Sequence, residues 1–371
     1  MCIRVTRNFL NCHGFRMTIE QYIAAIRQAA ESKTPIQIRG GGSKDFYGNP
    51  PAAVKHHELD VTAYNGIVDY EPTELVITAR AGTRLVDLEA ALNEQGQMLA
   101  FEPPAFDLAA TLGGCVAAGL SGPRRVVAGS VRDFVLGVRM LDGKGDDLRF
   151  GGQVMKNVAG YDVSRLMVGA MGTLGVLLEV SLKVLPRPAA ELTLQLPMQE
   201  AQAIEKMNQW AGQPLPISAS SFCEGVLTIR LSGAESAIHA AHAKLGGEVL
   251  ADGQAFWQSV REQTHGFFQS GQSLWRLSIK STAPPLSIPG QQLIEWHGAL
   301  RWLVCDERMD AETIRQVAKA AGGHATLFRG DASRSQVFHP LDRGMMTIHR
   351  ALKQKFDPVG ILNPGRLYLE L

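Results

Sequence analysis

The chain has 371 residues, enough for two or three domains with full cores. Hydrophobic residues make up 45% and charged residues 20%, and 37 basic against 36 acidic side chains leave a formal net charge of +1, which supplies no field for nucleic acid or an anionic membrane. Five scattered cysteines (Cys2, Cys12, Cys115, Cys223 and Cys305) form no CxxC pair, which argues against a zinc ribbon, an iron–sulfur cluster or a disulfide framework and fits a reducing, cytoplasmic compartment.

Residues 1–16 contain no apolar core of signal-peptide length. Thr18 with Gln21 then makes a capping box, so Met17 is expected to be the natural start, or residues 1–16 a loose extension. Thr18 to Ala30 reads as an amphipathic helix, with Tyr22, Ile23, Ile26 and Ala30 on one face. The stretch from Pro35 to Gly48 starts as a strand, Ile36 and Ile38 alternating with Gln37 and Arg39. It then breaks into Gly40, Gly41 and Gly42, followed by Ser43 and Lys44. A glycine run between two cations fits a pyrophosphate cradle built from backbone N–H groups, and it equally fits a flexible surface turn. Gly66 to Tyr70 and Leu75 to Ala81 read as strands split by a turn at Glu71-Pro72-Thr73. Thr83 is expected to cap a second helix with Leu85, Leu88 and Leu92 inward, stopped by Gly96.

Pro103 to Arg125 carries Gly113, Gly114, Gly119 and Gly122 among alanines, small enough for a planar ligand or a second backbone to come close. Val131 to Leu141 reads as a strand, Asp142-Gly143 as a turn, and Asp147 to Phe150 as the return. Lys156, Asn157, Tyr161 and Asp162 form a polar knot beside Gly160. The apolar run from Leu166 to Leu185 has the length of a membrane span, but Glu179, Lys183 and three glycines make a buried strand pair the better reading. Pro186-Arg187-Pro188 marks a boundary. Beyond it, strands are expected at Glu191 to Leu196, Val226 to Leu231, Leu274 to Ser281, Ala299 to Cys305 and Ala325 to Arg329. Helices are expected at Glu200 to Trp210, Ala234 to Leu245, Phe256 to Phe267 and, capped by Asp310, up to Ala321. This order suggests an antiparallel sheet with helices on one face. Phe356 to Leu371 reads as an extended tail docked on another domain.

The segments RGGGSKDFYG, TLGGCVAAGLSGPRR with SVRDFVLGVRMLDG, KNVAGYDVSRLMVGAMGTLGV and the closing FDPVGILNPGR together resemble the FAD-binding flavoproteins of the vanillyl-alcohol-oxidase/p-cresol-methylhydroxylase type, over residues 17–371. Within that family the likeness is to the E-type FAD-binding subunits of bacterial glycolate oxidases. The resemblance implies an α+β fold: a two-subdomain FAD-binding domain over 17–188, an α+β cap over 189–330, and a segment 331–371 docking back on the FAD domain. It implies that Arg39, Gly40, Gly41, Gly42, Ser43 and Lys44 hold the FAD pyrophosphate. Thr111, Gly113, Gly114, Gly119 and Gly122 would line the ADP and ribityl part. Arg132 and Asp133 would sit where the second subdomain meets that loop, with Gly172, Thr173, Gly175, Val176 and Asn363 at the ring. Relatives that tether FAD do so through a histidine just after the glycine triplet; Ser43 stands there, which implies non-covalent FAD.

The resemblance further implies partners, the D-type flavoprotein and the F-type iron–sulfur protein of glycolate oxidase, with glycolate oxidised to glyoxylate and this chain's flavin an electron relay or a second active site. Its small 2-hydroxy acid belongs to the complex. Localisation would be cytoplasmic, with attachment to the inner membrane through the partners. Two alternatives stand beside it: a self-sufficient FAD-dependent 2-hydroxyacid dehydrogenase, whose carboxylate clamp would come from Arg124, Arg125, Lys156 or Arg329, and a non-catalytic flavin-binding scaffold. Catalytic relatives carry a paired-histidine segment of the form H-x-G-D-G-N-x-H. Its counterpart here, His324 to Asp331, keeps one histidine, which reads as structural, so no metal is expected.

Overall fold

A computed structural model describes residues 17–50, 56–152, 162–332 and 336–371. Residues 1–16 and Lys156, Asn157, Gly160 and Tyr161 of the polar knot lie outside the described residues.

The first helix, Ile19–Ser32, is fixed by the Thr18/Gln21 capping box and buries Tyr22, Ile26 and Ala29. It covers a two-stranded parallel pair, Ile36–Arg39 with His57–Asp60. Ile361 and Leu362 of the tail share this small core with Leu141, Val176 and Leu178. Beside it stands a five-stranded sheet in the order Ile67–Glu71, Val76–Arg80, Val176–Lys183, Val135–Leu141, Asp147–Gly151, with every pairing antiparallel. Leu85, Leu88 and Leu92 of the Leu85–Glu94 helix and Leu112, Cys115 and Val116 of the Leu112–Ala118 helix fill its core. The glycine loop springs from the parallel pair at the seam between these two units.

An eight-stranded antiparallel sheet follows. Its order is Glu248–Val249, Ala190–Pro197, Val226–Gly233, Ile217–Cys223, Gln291–Glu295, Leu300–Cys305, Ser273–Ser278, His324–Arg329. Helices Glu200–Ala211, Glu235–Leu245 and Ala311–Ala320 pack on one face. The other face presents Trp296, Trp302 and Phe328 to Tyr47, Ala118, Leu120 and Met171, so one hydrophobic cluster joins the cap to the glycine-rich segments. The α+β reading matches this architecture.

Several local expectations are corrected. Thr83 does not cap the second helix: Arg84 occupies that position, and the Thr83 hydroxyl bonds Gly66 instead. The strand expected from Val131 begins at Val135, because the Asp133 carboxylate accepts from both the N–H and the hydroxyl of Ser130 and turns Val131–Phe134 into a short helix. The run from Leu166 holds one long strand, Val176–Lys183, rather than a pair. Strands Ile217–Cys223 and Gln291–Glu295 and the helix Arg343–Phe356 were not anticipated. Among the described residues no helix is long and apolar enough to cross a membrane.

Candidate functional site

A cleft runs along the seam and is lined by Arg39, Gly40, Gly41, Gly42, Ser43, Lys44, Thr111, Gly113, Gly114, Gly172, Gly175 and Asn363, together with Arg366. Twelve of the residues singled out from the sequence thus meet in one place, drawn from three segments and the tail. The N–H groups of Gly41, Gly42, Ser43 and Lys44 find no acceptor among the described residues. Four consecutive orphan amides lining a cleft make an anion cradle, since unpaired backbone donors are otherwise rare. The glycines also leave no room for side chains. A Cβ on Gly41 would lie 1.6 Å from the Ala109 carbonyl oxygen, one on Gly40 2.4 Å from Thr111 Oγ1, and one on Gly175 2.0 Å from Met140 Cε. Gly42 has φ +73°.

The two flanking cations differ. Arg39 is spent on Asp45 (3.0 Å) and Glu58 (3.4 Å), so it braces the loop. Lys44 is half-buried, sits 5.5 Å over the Phe106 ring and donates to the Ala105 carbonyl at 3.3 Å, and desolvation lowers its pKa. Thr111 caps the Leu112–Ala118 helix by accepting from Gly114 N–H at 3.2 Å. Asn363 ties the walls together: its Oδ1 accepts from Ile38 N–H (2.7 Å) and its Nδ2 donates to the Met171 carbonyl (2.7 Å). Arg366 was missed. Its guanidinium donates to the carbonyls of Asn49 (2.6 Å), Tyr47 (2.7 Å) and Asp45 (2.8 Å), and so pins the far end of the glycine loop to the tail. The arginine after NPG was the available signal.

Other expected residues lie elsewhere. Gly119 ends its helix at φ +67° with its Cα–H face against Gly169. Gly122 passes its carbonyl to Trp296 Nε1 of the cap (3.1 Å), and a Cβ there would lie 2.3 Å from the Glu102 carbonyl, so its small size serves the close approach of the Glu102 backbone. Asp133 caps Ser130, and Arg132 beside it is exposed. The Thr173 hydroxyl donates to the Ala170 carbonyl, and Val176 is core. None of these six lines the cleft.

The clamp candidates are also redistributed. Arg124 is buried in ion pairs with Glu102 and Glu191 away from the cleft. Arg125 stacks 4.3 Å over Trp296. Arg329 stacks 4.6 Å over Phe46 and 5.4 Å over Phe106, next to Lys44. Lys156 lies outside the described residues. His324 is not alone: His339 approaches it, with ring centroids 6.3 Å apart. Among the described residues no group of three or more His, Cys, Asp or Glu converges as a metal site would require.

Between cap and nucleotide domain a cavity of about 20 Å³ is lined by Gln263, Arg276, Glu295 and Trp302. It has room for roughly one water. Glu295 accepts from Trp302 Nε1 at 2.7 Å, and burial pushes its pKa up to about 7. A carboxyl that is more basic folded than unfolded stabilises the fold below the unfolded value of about 4.3, and the contribution is lost as pH rises through 7. Glu295→Gln keeps the acceptor and removes the titration. Its melting temperature is therefore expected to gain on the wild type between pH 5 and pH 8, by up to about 3 kcal/mol of stability. Parallel thermal unfolding curves check this, and a pH-independent difference would refute it.

A family model for an FAD binding domain matches residues 17–151. The chain is 52% identical to glycolate oxidase subunit GlcE of Escherichia coli (strain K12), over 93% of this chain and 96% of that protein. It is 32% identical to glycolate oxidase subunit GlcD of Bacillus subtilis (strain 168), over 44% of this chain and 35% of that protein. Among solved structures, p-cresol methylhydroxylase with substrate bound shares the fold, with a TM-score of 0.70 at 16% identity over 95% of this chain and 88% of that one.

Proposed function

The chain belongs to the FAD-binding family of glycolate oxidase subunit GlcE, and from that premise we propose that it is the FAD-binding subunit of a complex that oxidises glycolate to glyoxylate. The observation that carries this reading is the similarity to GlcE along nearly the whole of both chains. FAD, when bound, supplies a two-electron acceptor suited to the hydride of a 2-hydroxy acid. The residues proposed to hold it are those of the cleft. The orphan amides from Gly41 to Lys44 take the pyrophosphate, Thr111, Gly113 and Gly114 back them, and Gly172, Gly175 and Asn363 close the far wall. Ser43, at the position where a tethering histidine would stand, supports non-covalent attachment. Acid or urea denaturation followed by filtration is expected to release all the yellow colour, and flavin retained on the protein would refute this.

Among the described residues the charged side chains of the cleft are already engaged, Asp45 with Arg39 included. Arg39 is paired, Lys44 is engaged with Ala105, and Arg124 is locked in its ion network. This favours leaving carbinol oxidation to a GlcD-type flavoprotein and onward transfer to an F-type iron–sulfur protein, with this chain as relay in a cytoplasmic assembly attached to the membrane through its partners. Anaerobic mixing with glycolate tests the reading. Bleaching of this chain's flavin is expected only when the partner subunits are present. Bleaching of the isolated chain would make it a self-sufficient dehydrogenase, and no bleaching in the assembled complex would make it a scaffold.

A further inference from the structure

A second, larger cleft opens between the nucleotide domain and the cap, with a cavity volume of about 380 Å³. Four guanidinium groups (Arg124, Arg187, Arg230 and Arg261) and three carboxylates (Glu89, Glu102 and Glu191) line it. Two of the carboxylates are already neutralised. Glu102 pairs with Arg124 (3.3 Å) and Arg230 (2.8 Å), and Glu191 with Arg124 (2.5 Å). What remains in the lining is Arg187 and Arg261 against one carboxylate, Glu89. Arg187 is exposed, with no acidic side chain within ion-pair distance among the described residues. Arg261 is shared between Glu89 at 3.7 Å and its neighbour Glu262 at 2.7 Å. Arg230 is 5% exposed, paired with Glu102 and donating from Nε to Ser218 Oγ at 2.9 Å, so it walls the cavity as a fixed group.

The neutral lining points the same way. Gln254 and Gln258 lie one helical turn apart on Gly253–Arg261 and add exposed amide donors at the rim. Met98, Leu99 and Trp257 supply an apolar floor. Glu102 holds a left-handed backbone, φ +48°, a strained conformation that clusters at ligand sites. Guanidinium forks match carboxylates bidentately, and an apolar floor suits a short carbon skeleton better than an inorganic oxyanion.

We propose that this cleft binds a small organic acid of two to six carbons, its carboxylates on Arg187 and Arg261 and its skeleton on Met98, Leu99 and Trp257. The acid bridges the two domains, since Arg187 belongs to one side and Arg261 to the other. Arg261 also walls the cavity of Arg276 and Glu295, so a bound acid is one side chain away from it.

Succinate titrated into the full-length protein at constant ionic strength is expected to change Trp257 fluorescence saturably, with inorganic phosphate binding at least about tenfold more weakly. Arg187→Glu reverses an exposed charge at the mouth and is expected to weaken succinate about tenfold. Arg261→Ala is expected to weaken it severalfold. Calorimetric titration reads the same constants without relying on the fluorophore. The proposal is overturned by a lack of saturable succinate binding in both measurements, by phosphate binding as tightly as succinate, or by an Arg187→Glu protein that binds like the wild type. None of these readouts involves flavin or glycolate, so the proposed function and this site stand or fall separately.

Discussion

Gly41→Ala is expected to purify colourless. A Cβ at this position would sit 1.6 Å from the Ala109 carbonyl oxygen and 2.4 Å from its carbon, so relief requires one of two backbone segments to move. The loop lines the cleft and carries the four orphan amides, and the Ala109 segment leads into Thr111 of its wall, so the movement misaligns the donors proposed for the cofactor phosphates. Overpacking of this kind costs about 1–3 kcal/mol in a well-packed site, and the lost alignment adds to it, so FAD affinity should fall by roughly a hundredfold or more. The fold should survive, because the residue contributes no buried side chain. Flavin content per protein and an FAD titration of the apoprotein are the measurements. The contrast is Ser43→Ala, which keeps the backbone donors and should keep nearly all of the flavin. A yellow Gly41→Ala protein with wild-type affinity would sink the assignment of this loop to the phosphates.

That contrast also marks what could be read from the amino-acid order. Gly40 to Lys44 were legible because a demand on the backbone leaves a trace in residue type, although the run alone fitted a flexible surface turn equally well and took its meaning from the other glycine-rich segments. The helix at Ile19–Ser32 was legible from its cap. Strand Ile217–Cys223 was not, because its buried positions are filled by serines, which read as loop. Ser218 bonds Ser232 and Arg230, and Ser220 accepts from His297 N–H, pairings that exist only once distant strands meet. Gly119 and Gly122 misled for a related reason. A glycine shows that something comes close, but not whether it is a ligand, and here Gly169 and the Glu102 backbone take that place. Arg124 looked like a free cation beside a glycine run, and its acidic partners, Glu102 and Glu191, lie 22 and 67 residues away. The helix Arg343–Phe356 fully buries only Lys353, and its signal was present in the sequence, since Met345, Ile348, Leu352 and Phe356 recur at helical spacing.

Lys353 and Asp357 carry the second large effect. The Lys353 ammonium is buried and donates to Asp357 (2.8 Å), the Leu362 carbonyl (2.7 Å) and the Thr173 carbonyl (2.9 Å). The same Asp357 carboxylate accepts from the N–H groups of Gly360, Ile361 and Leu362. One ion pair therefore shapes the turn that delivers Asn363 to the cleft and anchors it to the segment leading into the Val176–Lys183 strand. Asp357→Ala leaves a buried, uncompensated cation and the amides of Ile361 and Leu362 unbonded, while Gly360 N–H keeps the residue-357 carbonyl, at a cost of about 3–5 kcal/mol. Its melting temperature should drop by at least about 5 °C, with weaker FAD binding, since Asn363 loses its footing. Lys353→Met with Asp357→Ala together removes the stranded charge, so the double variant should be more stable than Asp357→Ala alone. It should still bind FAD less tightly than the wild type, because the turn remains unsupported. Additive losses in the double variant would show that the pair is not coupled. Wild-type flavin affinity in Asp357→Ala would show that the tail is not part of the cofactor's seat.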